Sequence, residues 1–183
     1  MTIVQVQSLR AARNAGIVVP KETIDKAYKY LREATDAQGG VMYQLGMGGG
    51  GSGPLTAQAI ACLFSIGHYH DPIVKRWLTF CQRTIGIDAG GAARFGHYEY
   101  THYYYAQVAY SLGEDGYARL FPTSRDSERL TWNKYKAAVF DGLVSRQSSD
   151  GSWSTGFIGT IYSTCCFLTI LQLDKATLPI YQR

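Results

Sequence analysis

The feature that most limits how this chain can fold is a repeated helix ending. Asn14-Ala15-Gly16, Ser65-Ile66-Gly67 and Ser111-Leu112-Gly113 each close an apolar, helix-like run. Glycine just past such a run is the usual helix stop, because it enters the left-handed region without a Cβ penalty. Pro20 and Pro72 follow the first two endings, where proline suits the opening turn of the next helix. Recurrence on this scale is the mark of one supersecondary unit used several times.

Between these stops the helices are of two kinds. Ile24, Ala27, Tyr28 and Leu31 after Pro20, and Val74, Trp77, Leu78 and Cys81 after Pro72, keep the i, i+3, i+4, i+7 spacing of a one-sided amphipathic helix. Tyr135, Ala138, Val139 and Leu143 form a third copy. The other kind has no polar face: Leu55 to Phe64 and Ile158 to Leu173 carry no charge, nor does Thr101 to Leu112 apart from His102. Helices without a wet face are buried on more than one side. The alternation predicts an all-α fold of two layers, with inner helices near 3–15, 55–66, 101–112 and 158–172. The backing outer helices are expected near 21–35, 72–85 and 127–147. Arg10 and Arg13 of the first inner helix need an exit to solvent.

A glycine-aromatic turn recurs between outer and inner helices. It reads Gln38-Gly39-Gly40-Val41-Met42-Tyr43, then Gly90-Gly91-Ala92-Ala93-Arg94-Phe95, then Gln147-Ser148-Ser149-Asp150-Gly151-Ser152-Trp153. Gly39, Gly40 and Gly151 supply the turn, Gln147 and Asp150 its polar frame, and the ring of Tyr43 or Trp153 is expected to pack over the helix ends.

The Gln147-x-x-Asp150-Gly151-Ser152-Trp153 string resembles the QW repeat of the α/α-toroid superfamily, which includes squalene and terpene cyclases, protein prenyltransferase β subunits and thioester domains. Ser8 to Ile17 and Leu178 to Arg183 are similar to segments of bacterial, especially planctomycete-type, proteins with prenyltransferase and squalene-oxidase repeats. The resemblance implies a partial α/α toroid of four inner and three outer helices, the C-terminal part of a ring. It also implies chemistry whose working residues this chain lacks. There is no Asp-x-Asp-Asp for protonating an alkene, no Asp-Asp-x-x-Asp for magnesium, no Asp-x-Cys and no Cys-Gly-Glu-Gln. Tyr162-Ser163-Thr164-Cys165-Cys166 looks like the prenyltransferase Tyr-His-Thr-Cys segment, but with Ser163 where the zinc-binding histidine stands. The expectation is therefore a non-catalytic or uncharacterised repeat module that binds a protein partner or an apolar ligand. The alternative is an enzyme of prenyl or terpenoid chemistry with other catalytic residues.

Composition narrows this further. With 183 residues, the chain is expected to form a single domain spanning 1–183. Its 46% hydrophobic and 17% charged residues exclude a disordered chain. The net charge of +4 is scattered, so nucleic acid is not an expected partner. No apolar run of membrane-spanning length occurs, and no basic-then-apolar start marks a secretion signal. Cys62, Cys81, Cys165 and Cys166 sit in apolar runs and are expected as buried, reduced thiols, without zinc spacing. No cofactor is expected.

Five stretches remain to be weighed as sites. His97-x-Glu99-x-x-His102 could give three metal ligands or an acid–base pair, or simply polar rim residues. His68, His70 and Asp71 lie on the opposite rim. Tyr98, Tyr100, Tyr104 and Tyr105, with Tyr162, could line an aromatic cavity or merely pack ring to ring, as could Tyr103 and Tyr110. The Gly46–Gly53 run lacks the Gly-Lys-Ser/Thr of a phosphate loop and reads as a connector. Glu114 to Glu128 reads as a polar surface loop anchored by Tyr117 and Phe121. An incomplete ring would expose Ile3, Val4, Val6, Leu9 and Ala12 at one edge and Phe167 and Leu171 at the other, inviting self-association or another protein.

Overall fold

Each repeated ending closes a helix as its glycine demands. In the computed structural model, which describes residues 2–46, 48–87, 97–154 and 158–177, Gly16 and Gly67 both take φ of +86°. Ile17 N–H donates to Ala12 O, and His68 N–H to Leu63 O, at 3.0 Å in both cases. These six-to-one closures give the two helix ends one geometry. Gly113 also has positive φ, +64°, but its chain leaves in a different direction, with ψ of −141°.

The described residues form eight α-helices and no strand. They are α1 (Thr2–Asn14), α2 (Lys21–Glu33), α3 (Gly53–Ser65), α4 (Pro72–Thr84), α5 (Tyr98–Leu112), α6 (Gly116–Leu120), α7 (Trp132–Val144) and α8 (Thr160–Gln172). None is long and apolar enough to cross a membrane. Three boundaries depart from expectation by three residues or more, and one short helix is unexpected. Helix α5 begins at Tyr98 rather than near 101, and α7 ends at Val144 rather than near 147. The third amphipathic helix begins at Trp132 rather than near 127, because Asp126–Glu128 forms a 3-10 turn and Thr131 caps α7 through Oγ1, accepting from Lys134 N–H. The polar loop after Gly113 contains the short helix α6, whose Tyr117 is buried and stacks on Phe121 at 4.6 Å.

Where the sequence predicts a single domain, the chain divides into two compact units, one carrying α1–α4 and one running Ile85–Ala176. In the first, α3 packs on both α1 and α4, and α1 packs on α2. In the second, α5 packs on both α7 and α8. The helices with no polar face behave unequally. Every residue from Thr56 to Phe64 of α3 is buried, and so is nearly all of α5 after Tyr103. On α1 only Ile3, Val6 and Gln7 are buried, and on α8 only Ser163, Cys166, Phe167 and Ile170. This corrects the expected edges: Ile3, Val6 and Phe167 are interior, whereas Val4, Ile161 and Leu168 are exposed.

The first and last glycine turns share one hydrogen-bond pattern. Asp36 N–H donates to Gly40 O and Gly39 N–H to Asp36 O; Ser148 N–H donates to Ser152 O and Gly151 N–H to Ser148 O. Gly39 and Gly151 take φ of +90° and +84°. The next residue but one then donates its N–H to a threonine on the following helix: Val41 to Thr56 Oγ1 at 2.9 Å, Trp153 to Thr164 Oγ1 at 3.0 Å. Val41, not Tyr43, thus stands where Trp153 stands, and Tyr43 is 80% exposed. The indole at the first turn comes instead from α4, where Trp77 Nε1–H donates to Thr35 Oγ1 at 2.9 Å. Around the last turn, Gln147 Nε2 donates to Gly151 O, and Asp150 Oδ1 accepts from Ser152 N–H and Oγ–H. The 90–95 turn and the 178–183 string lie outside the described residues.

Candidate functional site

Helix α5 carries most of the candidate residues, and its 3.6-residue period sorts them. Tyr98, His102 and Tyr105 share one face by i, i+4, i+7 spacing. The His102 ring stacks obliquely on Tyr98, centroids 4.3 Å apart, and its Nδ1 lies 2.8 Å from the Tyr135 hydroxyl of α7. Tyr105 meets Tyr135 edge to face at 6.2 Å. Arg146 lies over Tyr98, with Cζ 5.0 Å from the ring centroid, and donates to its hydroxyl at 3.2 Å. Burial first, and then the Arg146 charge, hold the His102 imidazole down to about 4. Burial likewise raises the Tyr135 phenol well above its ordinary value. Both groups are neutral near pH 7, so this cluster offers hydrogen bonding rather than proton transfer.

Tyr100 and Tyr104 lie on another face, with rings 5.2 Å apart. Burial first, then Cys166, and last the hydroxyls of Tyr100 and Tyr104 raise the phenol of Tyr162 on α8. Tyr162 is hydrogen-bonded to the Cys166 thiol. Burial pushes that thiol up to about 11, opposed by Tyr162 and reinforced by Glu99. A thiol held protonated is a poor nucleophile and a poor metal ligand. The five tyrosines proposed for one cavity therefore divide into two groups: Tyr98 and Tyr105 with α7, and Tyr100, Tyr104 and Tyr162 with Cys166.

The His97, Glu99 and His102 set is not assembled either. His97 is exposed at the N-cap of α5, while Glu99 and His102 are buried. Among the described residues no three His, Cys, Asp or Glu side chains converge as metal ligands. Ser163 is fully buried. Four thiols are free; Cys62, Cys81 and Cys166 are buried, but Cys165 is exposed, because it lies on the outward face of α8. Burial raises Cys62 to about 12 and Cys81 further still. In the first unit, Asp71 accepts from Tyr28 Oη–H at 2.5 Å and lies 3.7 Å from His68 Nδ1, a bond set that holds the α3–α4 connection.

Two features carry no signal a motif search would find. Asp36 lies inside the first turn and accepts from Gly40 N–H at 2.8 Å and Gly51 N–H at 2.6 Å. Burial raises its carboxyl, and those donors outweigh it, so the net shift is downward. The carbonyls of Asp36, Ala37 and Gln38 are held in turn by Arg76 and Arg83 of α4. The end of the glycine-rich connector is thus fixed, and Gly53 already belongs to α3. The second feature is an uncovered apolar row, Ile158, Ile161, Cys165 and Leu168, with Ile161 84% exposed. The 4-3 spacing of Ile161, Cys165 and Leu168 is present in the sequence, but an uncharged helix reads as buried all round.

Set against family models, curated proteins and solved structures, the chain matches none.

Proposed function

We propose that this chain is a non-catalytic helical-repeat module of the α/α-toroid type, and that its work is association through the outward face of α8. The observation that carries this reading is the Ile158, Ile161, Cys165 and Leu168 row. Ile161, Cys165 and Leu168, at steps of four and three along α8, make the narrow seam by which one helix packs on another, and Ile158 lies in the turn just before it. The helix Thr160–Gln172 has no charged residue to oppose a partner. A second copy crossing antiparallel, two-fold about the middle of the row, would set Ile161 of each copy against Cys165 of the other. The chemistry of the interior supports the non-catalytic half of the reading: His102 is neutral and bonded to Tyr135, and Cys166 is held protonated.

Light scattering at micromolar concentration is the test. The expected result is a dimer, dissociated by Ile161→Glu. A monomer unchanged by Ile161→Glu refutes self-association. Turnover of an isoprenoid diphosphate, rather than its binding alone, would instead favour the enzyme of prenyl or terpenoid chemistry.

A further inference from the structure

The first unit contains a cleft that the association reading does not use. It has a volume of about 660 Å³, within the range of small-molecule pockets. The end of α1, the Gly16–Val19 connection, the start of α2 and the end of α3 enclose it. Its walls are aliphatic: Leu9, Val19, Ile24 and Ile66 are only half-buried, and Ile17 and Val18 at the lip are 60% and 89% exposed. No aromatic ring lines it except His68. Such walls suit a flexible hydrocarbon chain better than a flat ring system.

The polar lining is unbalanced in sign. Lys21 and Asp25 face the cleft but satisfy each other, 2.8 Å apart. Arg10 donates to the carbonyls of Phe64 and Ser65 at the end of α3, which fixes its guanidinium at the cleft wall. Arg13, one turn further along α1, has no ion pair or side-chain hydrogen bond among the described residues. The one carboxylate in the lining, Asp25, is taken by Lys21, and none is left for Arg13. A planar guanidinium recognises carboxylate and phosphate oxygens through paired hydrogen bonds.

We infer that this cleft binds a single-chain amphiphile with an anionic head, its hydrocarbon tail against Leu9, Ile24 and Ile66 and its head on Arg13. The inference is independent of the α8 association, since it concerns other helices and a monomer would bind equally well.

The test is calorimetry on the full chain with octanoate, octyl phosphate and 1-octanol, each below its aggregation limit. Saturable one-site binding of at least one of the two anions is expected, with 1-octanol at least about fivefold weaker for want of a charge-assisted bond. Tighter octanoate identifies a free carboxylate head, and tighter octyl phosphate a phosphoryl head. Arg13→Gln, at an exposed position that leaves the fold intact, should weaken the anions about tenfold and leave 1-octanol unchanged. Ile24→Asn should weaken all three; circular dichroism checks that it remains helical, and Arg13→Gln decides the case if it does not. The inference is overturned if neither anion saturates, if 1-octanol binds as tightly as the anions, or if Arg13→Gln changes nothing.

Discussion

Replacing Trp153 and Trp132 in parallel separates an indole that closes its turn from one that only fills space. Trp153 is 1% exposed, its Nε1–H donates to Leu143 O at 2.7 Å, and its ring meets Phe167 edge to face at 5.9 Å. Trp153→Ala removes all three, and burial of this kind is worth about 3–5 kcal/mol. That is at least about a fifth of the roughly 5–15 kcal/mol that holds a typical domain. Trp153→Phe keeps most of the ring and loses the hydrogen bond. The abandoned Leu143 carbonyl still accepts from the N–H groups of Ser145 and Arg146, so the full cost of an orphaned acceptor is not incurred. The expected loss is therefore about 1–2 kcal/mol. Trp132 is the control: it is 5% exposed, but its buried Nε1 has no partner among the described residues. Trp132→Phe discards an unsatisfied donor and should lie within about 1 kcal/mol of the parent. Urea unfolding followed by circular dichroism gives the energies, and hydrogen exchange in α7 and α8 locates the loss. A loss below about 1 kcal/mol for Trp153→Ala, or equal losses for the two phenylalanine variants, would refute the reasoning.

Three further outcomes follow from the geometry. A Cβ on Gly51 would overlap the Gly40 carbonyl carbon, and one on Gly40 would sit 2.5 Å from the Phe80 ring, whereas one on Gly48 meets nothing. Gly40→Ala and Gly51→Ala should each lower stability by about 1–3 kcal/mol and Gly48→Ala by almost nothing, as thermal melting will show. Asp36 has a lowered carboxyl pKa, so it stabilises the fold above its unfolded value near 3.8 and loses that contribution as pH falls through the lower folded value. The melting temperature of the parent should therefore fall more steeply below pH 3.8 than that of Asp36→Asn; parallel curves would contradict this. For His102 the folded value near 4 lies below the ordinary 6.5, so the unfolded chain takes up the proton first and stability drops by up to about 3 kcal/mol between pH 6.5 and 4. NMR titration of the His102 ring should show no midpoint above about pH 5.

The helix ends were legible because glycine at Gly16, Gly67 and Gly113 has a backbone reason that survives any tertiary context. The Trp153 turn was legible for the same reason: its polar frame is local, from Gln147 to Ser152. Burial was less so. Lack of charge made α8 look interior, yet a helix can be apolar all round and still leave one side uncovered. For the tyrosines the sequence leaves an aromatic cavity and ring-to-ring packing both open; the helical period sends Tyr98 and Tyr105 one way and Tyr100 and Tyr104 another. The helix α6 was hidden in polar sequence, since five residues are too few to show a period. Neither the Asp36 bonds nor the unpartnered Arg13 could be read in advance, because each depends on which distant backbone comes near.

The meeting of Gly40 and Gly51 bears on how the chain tolerates change. With those two backbones in contact and Asp36 bonded to both amides, the ends of the connector are pinned independently of what is strung between them. Closing such a loop costs entropy only logarithmically, about 0.6 kcal/mol for each doubling of its length. Gly46, Gly48 and Gly49 have open space where a side chain would go. The connector is in effect a permissive port: an epitope, a fluorophore-binding peptide or a small guest domain could be spliced in at Gly48 while the clamp beneath it keeps α2 and α3 in register.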